Sequence, residues 1–323
     1  MEERMETLDL TDFTGKIDRI RTAMSAVIVG QERMVDLLLT VMLAKGHVLI
    51  EGVPGVAKTL MAKMMAKLVD AQFSRIQFTP DLMPSDVLGT SVFNQKTGEF
   101  SFHKGPVFAD IVLVDEINRA PAKTQSALFE VMEERQATID GTTYSMSPLY
   151  TILATQNPVE QEGTYKLPEA QLDRFLMKIV MQYPSAEEEV RILERHHTNA
   201  RLASLDGVNP IITNRELLQL CDFVGKVYVD ASLLRYIADI VYQTRTSKAV
   251  FLGASPRASV ALMQSAKAFA LLQGRDFITP EDVKLIAPSV LHHRLILTAE
   301  AEMEGYTATK IVQRLVEKVE VPK

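Results

Sequence analysis

The segment 52–59, GVPGVAKT, constrains the fold of this chain more than any other feature. An apolar run of strand length precedes it at 47–51, and a run with helical spacing follows it at 60–68. A glycine loop between a strand and a helix holds a polyphosphate with backbone N–H groups and the positive end of the helix. The lysine of such a loop reaches the outer phosphates, and the hydroxyl after it binds Mg²⁺. We therefore predict that Lys58 binds phosphate and that Thr59 is a magnesium ligand.

One position departs from the usual loop, which has a second glycine where this chain has Ala57. A methyl group there requires a helical backbone, which we expect the first turn of the following helix to provide. We expect Gly52 and Gly55 to supply backbone angles that are closed to other residues. For this segment alone, an ordinary turn between a strand and a helix remains the alternative.

Composition places the chain among ordinary globular proteins, with 47% hydrophobic and 24% charged residues among 323. Its formal charge of −6 argues against binding nucleic acid by bulk charge. The single cysteine, Cys221, excludes an internal disulfide and favours a reducing compartment. The first residues lack a secretory pattern, and no stretch reaches the roughly 18 apolar residues of a membrane span. We therefore expect a cytoplasmic protein.

The pattern of apolar runs predicts an α/β domain followed by a helical one. Helical patterns separate most of the strand-like runs, as in a parallel sheet covered on both faces. From residue 186 onward the periodicity is helical and no strand is predicted. We predict a nucleotide-binding domain over 1–184 and an all-helical lid domain over 185–323. The five predicted strands are 47–51, 73–78, 111–114, 150–154 and 177–181.

Two acids, Asp115 and Glu116, end the third predicted strand, 57 residues after Lys58. In a phosphate-loop ATPase the first acid holds Mg²⁺ through water, and the second polarises the water that attacks the γ-phosphate. We assign these roles to Asp115 and Glu116. The alternative is that the pair caps the next helix.

Three further polar residues are candidates for the same chemistry. Asn157 follows the fourth predicted strand and is placed to orient the attacking water or contact the γ-phosphate. Arg174 precedes the last strand, and an arginine donated by a neighbouring subunit stabilises phosphoryl transfer; the alternative is an ion pair with Asp173. Arg257 stands at the start of a helix, where a cation is unfavourable without an anion nearby. A γ-phosphate is one such anion, and the alternative is that Arg257 reaches into solvent.

Taken together, these segments resemble the AAA+ ATPases, and within them the MoxR family. The resemblance spans nearly the whole chain, and an alanine at the position of Ala57 is usual in this family. The segments that carry it are VIVGQE at 27–32, GVPGVAKT, IVLVDEINRAPAKTQSALFEVMEE at 111–134, ATQNPVEQEGTYKLPEAQLDRF at 154–175, and GASPRA at 253–258.

The resemblance implies a five-stranded αβα domain of strand order 5-1-4-3-2, a C-terminal helical lid, and ring hexamers with ATP and Mg²⁺ between subunits. It implies that Val29, Gly30 and Gln31 flank the adenine. It makes Asn157 sensor 1, Arg174 the arginine finger and Arg257 sensor 2, with Arg119 a weaker candidate for a subunit boundary. Asp115 and Glu116 become Walker B. Walker A comprises Gly52, Val53, Pro54, Gly55, Val56, Ala57, Lys58, Thr59 and Leu60.

Two further segments resemble elements of this clade: a helix-2 insert at 84–106 and a hairpin at 136–147 with a turn at Asp140-Gly141. We expect both to face the pore of the ring or a client protein. The family is linked to maturing or activating other proteins, often ones with von Willebrand A domains. Alternatives are a magnesium-chelatase-like or DNA-directed motor subunit, or a nucleotide-dependent switch with little turnover. The absence of Lys and Arg from 136–147 weakens the DNA-directed alternative.

Overall fold

The protein is described here by a computed structural model that covers residues 10–53, 55–96, 98–157, 165–198, 205 and 207–322. Within these residues, no helix is both long enough and apolar enough to cross a bilayer. Up to residue 181 the elements are α1 (Leu10–Val27), α2 (Glu32–Leu43), β1 (Val48–Gly52), α3 (Lys58–Leu68), β2 (Phe73–Gln77), α4 (Pro84–Leu88), β3 (Gly89–Asn94), β4 (Glu99–Lys104), β5 (Ile111–Asp115), a 3₁₀ turn (Ile117–Arg119), α5 (Ala122–Glu134), β6 (Gln136–Ile139), β7 (Thr142–Ser145), β8 (Thr151–Gln156), α6 (Glu169–Leu172) and β9 (Met177–Met181).

Five of these strands form one parallel sheet in the order β2-β5-β8-β1-β9. Counting only these five along the chain gives 5-1-4-3-2 when read from β9, so the expected strand order is confirmed. Each predicted strand agrees with the observed one to within two residues. The interior strand β5 is buried along its whole length, as an apolar run covered on both faces requires.

The first two helices present apolar faces to the core of the protein. In α1 the buried residues are Phe13, Ile17, Ile20 and Met24, which recur every three or four positions. In α2 nine of the twelve residues are buried, because the helix lies between the sheet and the second domain. The apolar core is therefore continuous from the sheet into the lid.

Two antiparallel hairpins project from the first domain. The predicted insert forms α4 followed by β3 and β4, and the predicted hairpin forms β6 and β7. Asp140 and Gly141 both have positive φ, of 50° and 78°, as a two-residue turn of this type requires. The hairpins contact each other, because the rings of Phe102 and Tyr144 lie 4.4 Å apart and Ser91 donates to Asp140.

The second domain is helical, as predicted, but it also contains a short two-stranded sheet that the sequence analysis does not predict. Its two strands have three and two residues, too few for a periodic signal. The boundary near Pro184 stays a prediction. The elements are α7 (Ala186–Thr198), α8 (Asn214–Val224), α9 (Ala231–Thr246), β10 (Val250–Leu252), α10 (Pro256–Leu272), α11 (Pro280–Leu291), a 3₁₀ turn (His292–Arg294), β11 (Ile296–Leu297), α12 (Ala299–Met303) and α13 (Ala308–Lys318).

Candidate functional site

The candidate nucleotide site lies at the edge of the sheet where the strands end. The register pairs Glu51 of β1 with Gln156 of β8, and Gln77 of β2 with Asp115 of β5. The loop after β1, the acids of β5 and Asn157 after β8 therefore come to the same edge. Ligands in parallel α/β sheets bind at this carboxyl edge.

The two glycines of the loop differ in what they require. Gly55 has a φ of +88°, so it supplies a backbone angle that favours glycine, as expected. Gly52 has no such angle, and the expectation is wrong there. A Cβ at Gly52 would lie 2.9 Å from the Cβ of Met181, so glycine is required here because the backbone passes close to β9. Val53 follows the strand, Val56 packs partly against the core, and Pro54 lies outside the described residues.

Ala57 does not have the helical backbone of the first turn of α3. Its φ of 59° and ψ of 25° are left-handed, so the prediction for this residue is wrong. An L-residue in this conformation costs roughly 1–2 kcal/mol relative to its ordinary backbone. The left-handed residue turns the chain into α3, where Lys58, Thr59 and Leu60 form the first turn. Ala57 has no side-chain oxygen to cap the N–H groups of that turn, which favours an anion there.

Lys58 points back over its own loop. Its Nζ donates to the carbonyl oxygen of Gly52 at 2.7 Å. Burial lowers the pKa of Lys58, and the negative charges of Asp115 and Glu116 oppose that change. The two acids are therefore close enough to influence the lysine, as a shared phosphate and metal site requires.

A buried threonine joins the two acids. The backbone N–H of Glu116 donates to Thr155 Oγ1 at 3.0 Å, and that hydroxyl donates to Asp115 Oδ1 at 3.1 Å. Glu116 itself is left-handed, with a φ of 58°, and this strained geometry lies beside the candidate reaction centre. The Glu116 side chain does not cap the 3₁₀ turn that follows, so the capping alternative is not observed. Sequence reasoning missed Thr155, although it precedes Asn157 by two residues on the same strand end.

Three polar groups hold the carboxylates in place. Arg75 Nε lies 2.7 Å from Asp115 Oδ2, while Gln77 Nε2 donates to Glu116 Oε2 at 2.9 Å. Arg119 Nε lies 3.0 Å from the same Glu116 oxygen. The sequence analysis did not identify Arg75 and Gln77 as residues of the site. They stand two apart on β2, beside β5, so both side chains lie on one face of the sheet, and this spacing is the pattern that could have identified them.

A cleft of about 840 Å³ lies between the lid and the segment predicted to flank adenine. Gly30, after Val29, turns the chain there with a φ of +74°. Glu51 and Lys178, which form an ion pair, also line this cleft. The cleft is large enough for a nucleoside. Its lining includes Gly30 and Gln31 before α2, Ser289 of α11, His292 of the second 3₁₀ turn, and Thr307 and Lys310 around the start of α13.

Arg174 lies at the opposite, amino-terminal edge of the sheet. Its Nη1 donates to the carbonyl oxygen of Phe129 in α5 at 2.7 Å. The same end of α5 contacts the start of β1, because His47 Nε2 lies 3.1 Å from the carbonyl oxygen of Met132. Since β1 has five residues, about 16 Å of strand separates this edge from Lys58. The alternative for Arg174 is wrong, because Asp173 pairs with Arg294.

Arg257 lies at the amino-terminal edge as well. One of its nitrogens, Nη2, contacts both carboxylate oxygens of Glu133, at 2.8 Å each. Glu133 raises the pKa of Arg257 and adjoins Met132, which contacts the start of β1. The anion beside this helix start is therefore Glu133, and Arg257 neither reaches freely into solvent nor lies by its own phosphate loop.

A parallel sheet in this strand order, a phosphate loop after its first strand, paired acids and a helical lid define the class of AAA+ nucleotide-binding ATPases. Residues 47–177 match the family model described as the ATPase family associated with various cellular activities (AAA). Residues 242–315 match the AAA lid domain.

Similar proteins extend the match over the chain. The protein YeaC of Bacillus subtilis is 49% identical over 92% of both chains. Chaperone MoxR1 of Mycobacterium tuberculosis is 43% identical, covering 95% of this chain and 82% of that one. A crystal structure from Cytophaga hutchinsonii, described as a candidate ATPase, has a TM-score of 0.88 and 42% identity over 97% of each chain. The chain belongs to the MoxR family of AAA+ ATPases.

Proposed function

We propose that this chain hydrolyses ATP with Mg²⁺ at the interfaces between the subunits of a ring, and that it uses this hydrolysis to remodel or activate client proteins. The observation that carries the proposal is the separation of Lys58 from Arg174 and Arg257 by the length of a strand. One subunit supplies the phosphate loop and the acids, and the next supplies the arginines. A ring of identical chains, which we take to be a hexamer, repeats this pairing at each interface.

The residues of the phosphate loop, the adenine segment and the strand ends have separate roles in this proposal. Lys58 contacts the β- and γ-phosphates, and the residues from Gly52 to Leu60 enclose them with backbone N–H groups. Val29, Gly30 and Gln31 contact the adenine. Glu116 accepts a proton from the attacking water, which Asn157 orients.

The oxygen ligands of the site fit Mg²⁺, which prefers carboxylate and hydroxyl oxygens and keeps several waters. Asp115 offers a carboxylate at the strand end, 10% exposed, and Thr59 a hydroxyl in the first turn of α3. Thr59 would hold the ion directly and Asp115 through water. When bound, Mg²⁺ neutralises charge on the transferred phosphoryl group.

Arg174 is the stronger candidate for the trans-acting arginine. Arg119 lies at the same edge as the acids of its own chain and contacts Glu116. Arg174 lies at the other edge, where a neighbouring subunit has access. The guanidinium must leave the Phe129 carbonyl oxygen to reach a phosphate. Arg257 joins it as the second arginine of the same edge.

The joined hairpins support a protein client. Phe93 and Phe100 lie on β3 and β4 with 50% and 74% of their surface exposed, and their rings are 5.1 Å apart. Exposed aromatic pairs are typical of surfaces that bind protein. We propose that these hairpins face the pore or the client, that a von Willebrand A domain protein is one such client, and that the protein acts in the cytoplasm.

Mixing two inactive variants tests the proposal. Arg174→Ala subunits keep Glu116, and Glu116→Gln subunits keep Arg174, so hybrid interfaces contain one intact set. We expect the mixture to recover ATPase activity that neither variant has alone. Light scattering of the same samples checks that mixed rings form. A confirmed mixture without recovered activity would contradict action across subunits.

A further inference from the structure

Arg294 is a buried arginine of the lid that contacts the first domain. It ends the 3₁₀ turn after α11, and only 3% of its side chain is exposed. A guanidinium has five N–H donors, and this one makes five hydrogen bonds. The acceptors are Asp173 Oδ1 at 2.7 Å and the carbonyl oxygens of Phe175 at 2.7 Å, Asp173 at 3.2 Å, Leu176 at 3.2 Å and Val290.

Two of these residues lie directly on either side of Arg174 in the chain. Asp173 precedes it and Phe175 follows it, and both carbonyl oxygens accept from the same guanidinium. His293 Nε2 also donates to Phe175 at 3.2 Å. The backbone that carries Arg174 is therefore fixed to the lid before and after that residue.

The lid holds Asp173 from a second direction. Ser255 Oγ donates to Asp173 Oδ2 at 3.0 Å, and Ser255 precedes Arg257 by two residues. One carboxylate thus joins the turn that carries Arg294 to the segment that carries Arg257. The segments that carry Arg174 and Arg257, at the amino-terminal edge, are therefore joined by hydrogen bonds through Asp173.

Arg294 depends on these hydrogen bonds, because a buried charge is strongly destabilising without its partners. Burial lowers the pKa of Arg294, and Asp173 opposes that change. A shorter or neutral side chain would leave several carbonyl oxygens beside Arg174 without a donor, and this segment would then loosen. A displacement of about 1 Å in a catalytic group can cost roughly 100-fold in rate.

We propose that Arg294 is a positioning residue for Arg174, and that through Arg174 it affects the hydrolysis of ATP held by the neighbouring subunit. It fixes the backbone on both sides of Arg174, so that the guanidinium reaches the neighbouring γ-phosphate in one orientation. This inference rests on the proposed role of Arg174 across the interface. The opposing account is that Arg294 only fastens the lid to its own domain, in which case its loss harms its own subunit.

The two accounts differ in the kinetic constants of a variant. We expect Arg294→Lys, which keeps the charge but loses the planar fork, to lower kcat roughly 10- to 100-fold. The KM for ATP and the affinity for a fluorescent ATP analogue stay within about twofold, because the nucleotide is held by the loop and cleft of the same chain. Arg294→Met should lose more activity than Arg294→Lys. A parallel loss of analogue binding would favour the opposing account.

Complementation then decides where Arg294 acts. Arg294→Lys subunits are mixed with Glu116→Gln subunits, beside the reference mixture of Arg174→Ala with Glu116→Gln. We expect both mixtures to recover activity, because Glu116→Gln subunits supply intact Arg174 and Arg294 to a neighbour. Recovery in the reference alone would overturn the role of Arg294 and leave the proposed function standing. Failure of the reference would overturn the proposed function, and this inference with it.

A buried substitution can also prevent folding, so a milder variant is included. Asp173→Asn keeps the size of the side chain and an acceptor for Arg294 while removing the charge. Urea unfolding of each variant checks for one cooperative transition. If Arg294→Lys fails that check, the same two measurements on Asp173→Asn decide the proposal. A lower kcat with recovery by mixing supports it, and an unchanged kcat contradicts it.

Discussion

Arg174 donates to the carbonyl oxygen of Phe129 at 2.7 Å, at the edge of the sheet opposite Lys58 of the same chain. In the proposed mechanism, this geometry is the reason why a chain that carries its own phosphate loop needs a neighbouring subunit. The acids and the lysine gather at the carboxyl edge, and the arginines lie a strand length away. On this proposal, a single subunit holds the nucleotide at one edge, while its own Arg174 lies too far away to supply a positive charge to the transition state.

Replacing the proposed base separates binding from hydrolysis. Glu116→Gln keeps the size of the side chain and its contact with Gln77 through an amide oxygen, but it cannot accept the proton of the attacking water. We expect ATP binding to be retained and hydrolysis to fall at least about 100-fold. Equilibrium binding of a fluorescent ATP analogue and steady-state turnover measure the two effects. Turnover at the wild-type rate would remove Glu116 as the base.

The threonine that joins the acids should matter for rate. Thr155→Val keeps the shape of the side chain but removes the oxygen that accepts from Glu116 N–H and donates to Asp115. We expect kcat to fall roughly tenfold or more, and the free energy of unfolding to fall by about 1–3 kcal/mol. Thr155→Ser is the matched control, because it retains the hydroxyl. Equal losses in both variants would show that the hydroxyl is not responsible.

The left-handed alanine gives a prediction about stability. At Ala57 a glycine relieves backbone strain, so Ala57→Gly should leave the free energy of unfolding unchanged or raise it by up to about 1 kcal/mol. The matched control is Ala62→Gly within α3, which should lower it by about 1 kcal/mol or more. Urea denaturation of both variants tests the difference. Similar destabilisation at the two positions would contradict the left-handed backbone at Ala57.

Two buried histidines and one partly buried histidine should make the protein sensitive to acid. Burial lowers the pKa of His47 and of His292 from 6.5 to about 4, and lowers the pKa of His293 well below its usual value. Their unfolded forms bind protons first as the pH falls. Stability from these groups is therefore complete above pH 6.5 and is lost as the pH falls towards 4.

The slope of stability against pH measures this effect. Each histidine contributes up to about 1.4 kcal/mol per pH unit. Urea unfolding at a series of pH values should show a free energy of unfolding that falls below pH 6.5. His292→Gln should reduce the slope of that free energy against pH by the amount that corresponds to at most one bound proton. Stability that does not change between neutral pH and pH 5 would contradict the neutral state of these histidines in the folded protein.

The strands and the phosphate loop could be predicted from the sequence because their signals are local. An apolar run such as 111–114 and the loop after 47–51 show their structure within a few residues. The strand order came from the family resemblance, since no local pattern states which strands are neighbours. The family membership is confirmed by the similar proteins.

Other features depend on contacts between distant parts of the chain. Arg75 and Thr155 each contact Asp115 across 40 residues, and the partner of Arg257 lies 124 residues away. In the sequence, His292 and His293 are an adjacent polar pair, a pattern that favours a surface position or a helix end. The pair does follow α11, but His293 is buried, because the lid packs the turn against β9. No sequence pattern of a few residues carries such information.

The ATPase rate as a function of protein concentration tests the central claim most directly, with the mass measured by light scattering in the same samples. The measurement is made with Mg²⁺, and with and without ATP. Completion of the site between subunits predicts a rate per subunit that rises as a larger species forms. A rate per subunit that is already maximal in monomers, and does not change on assembly, would contradict it.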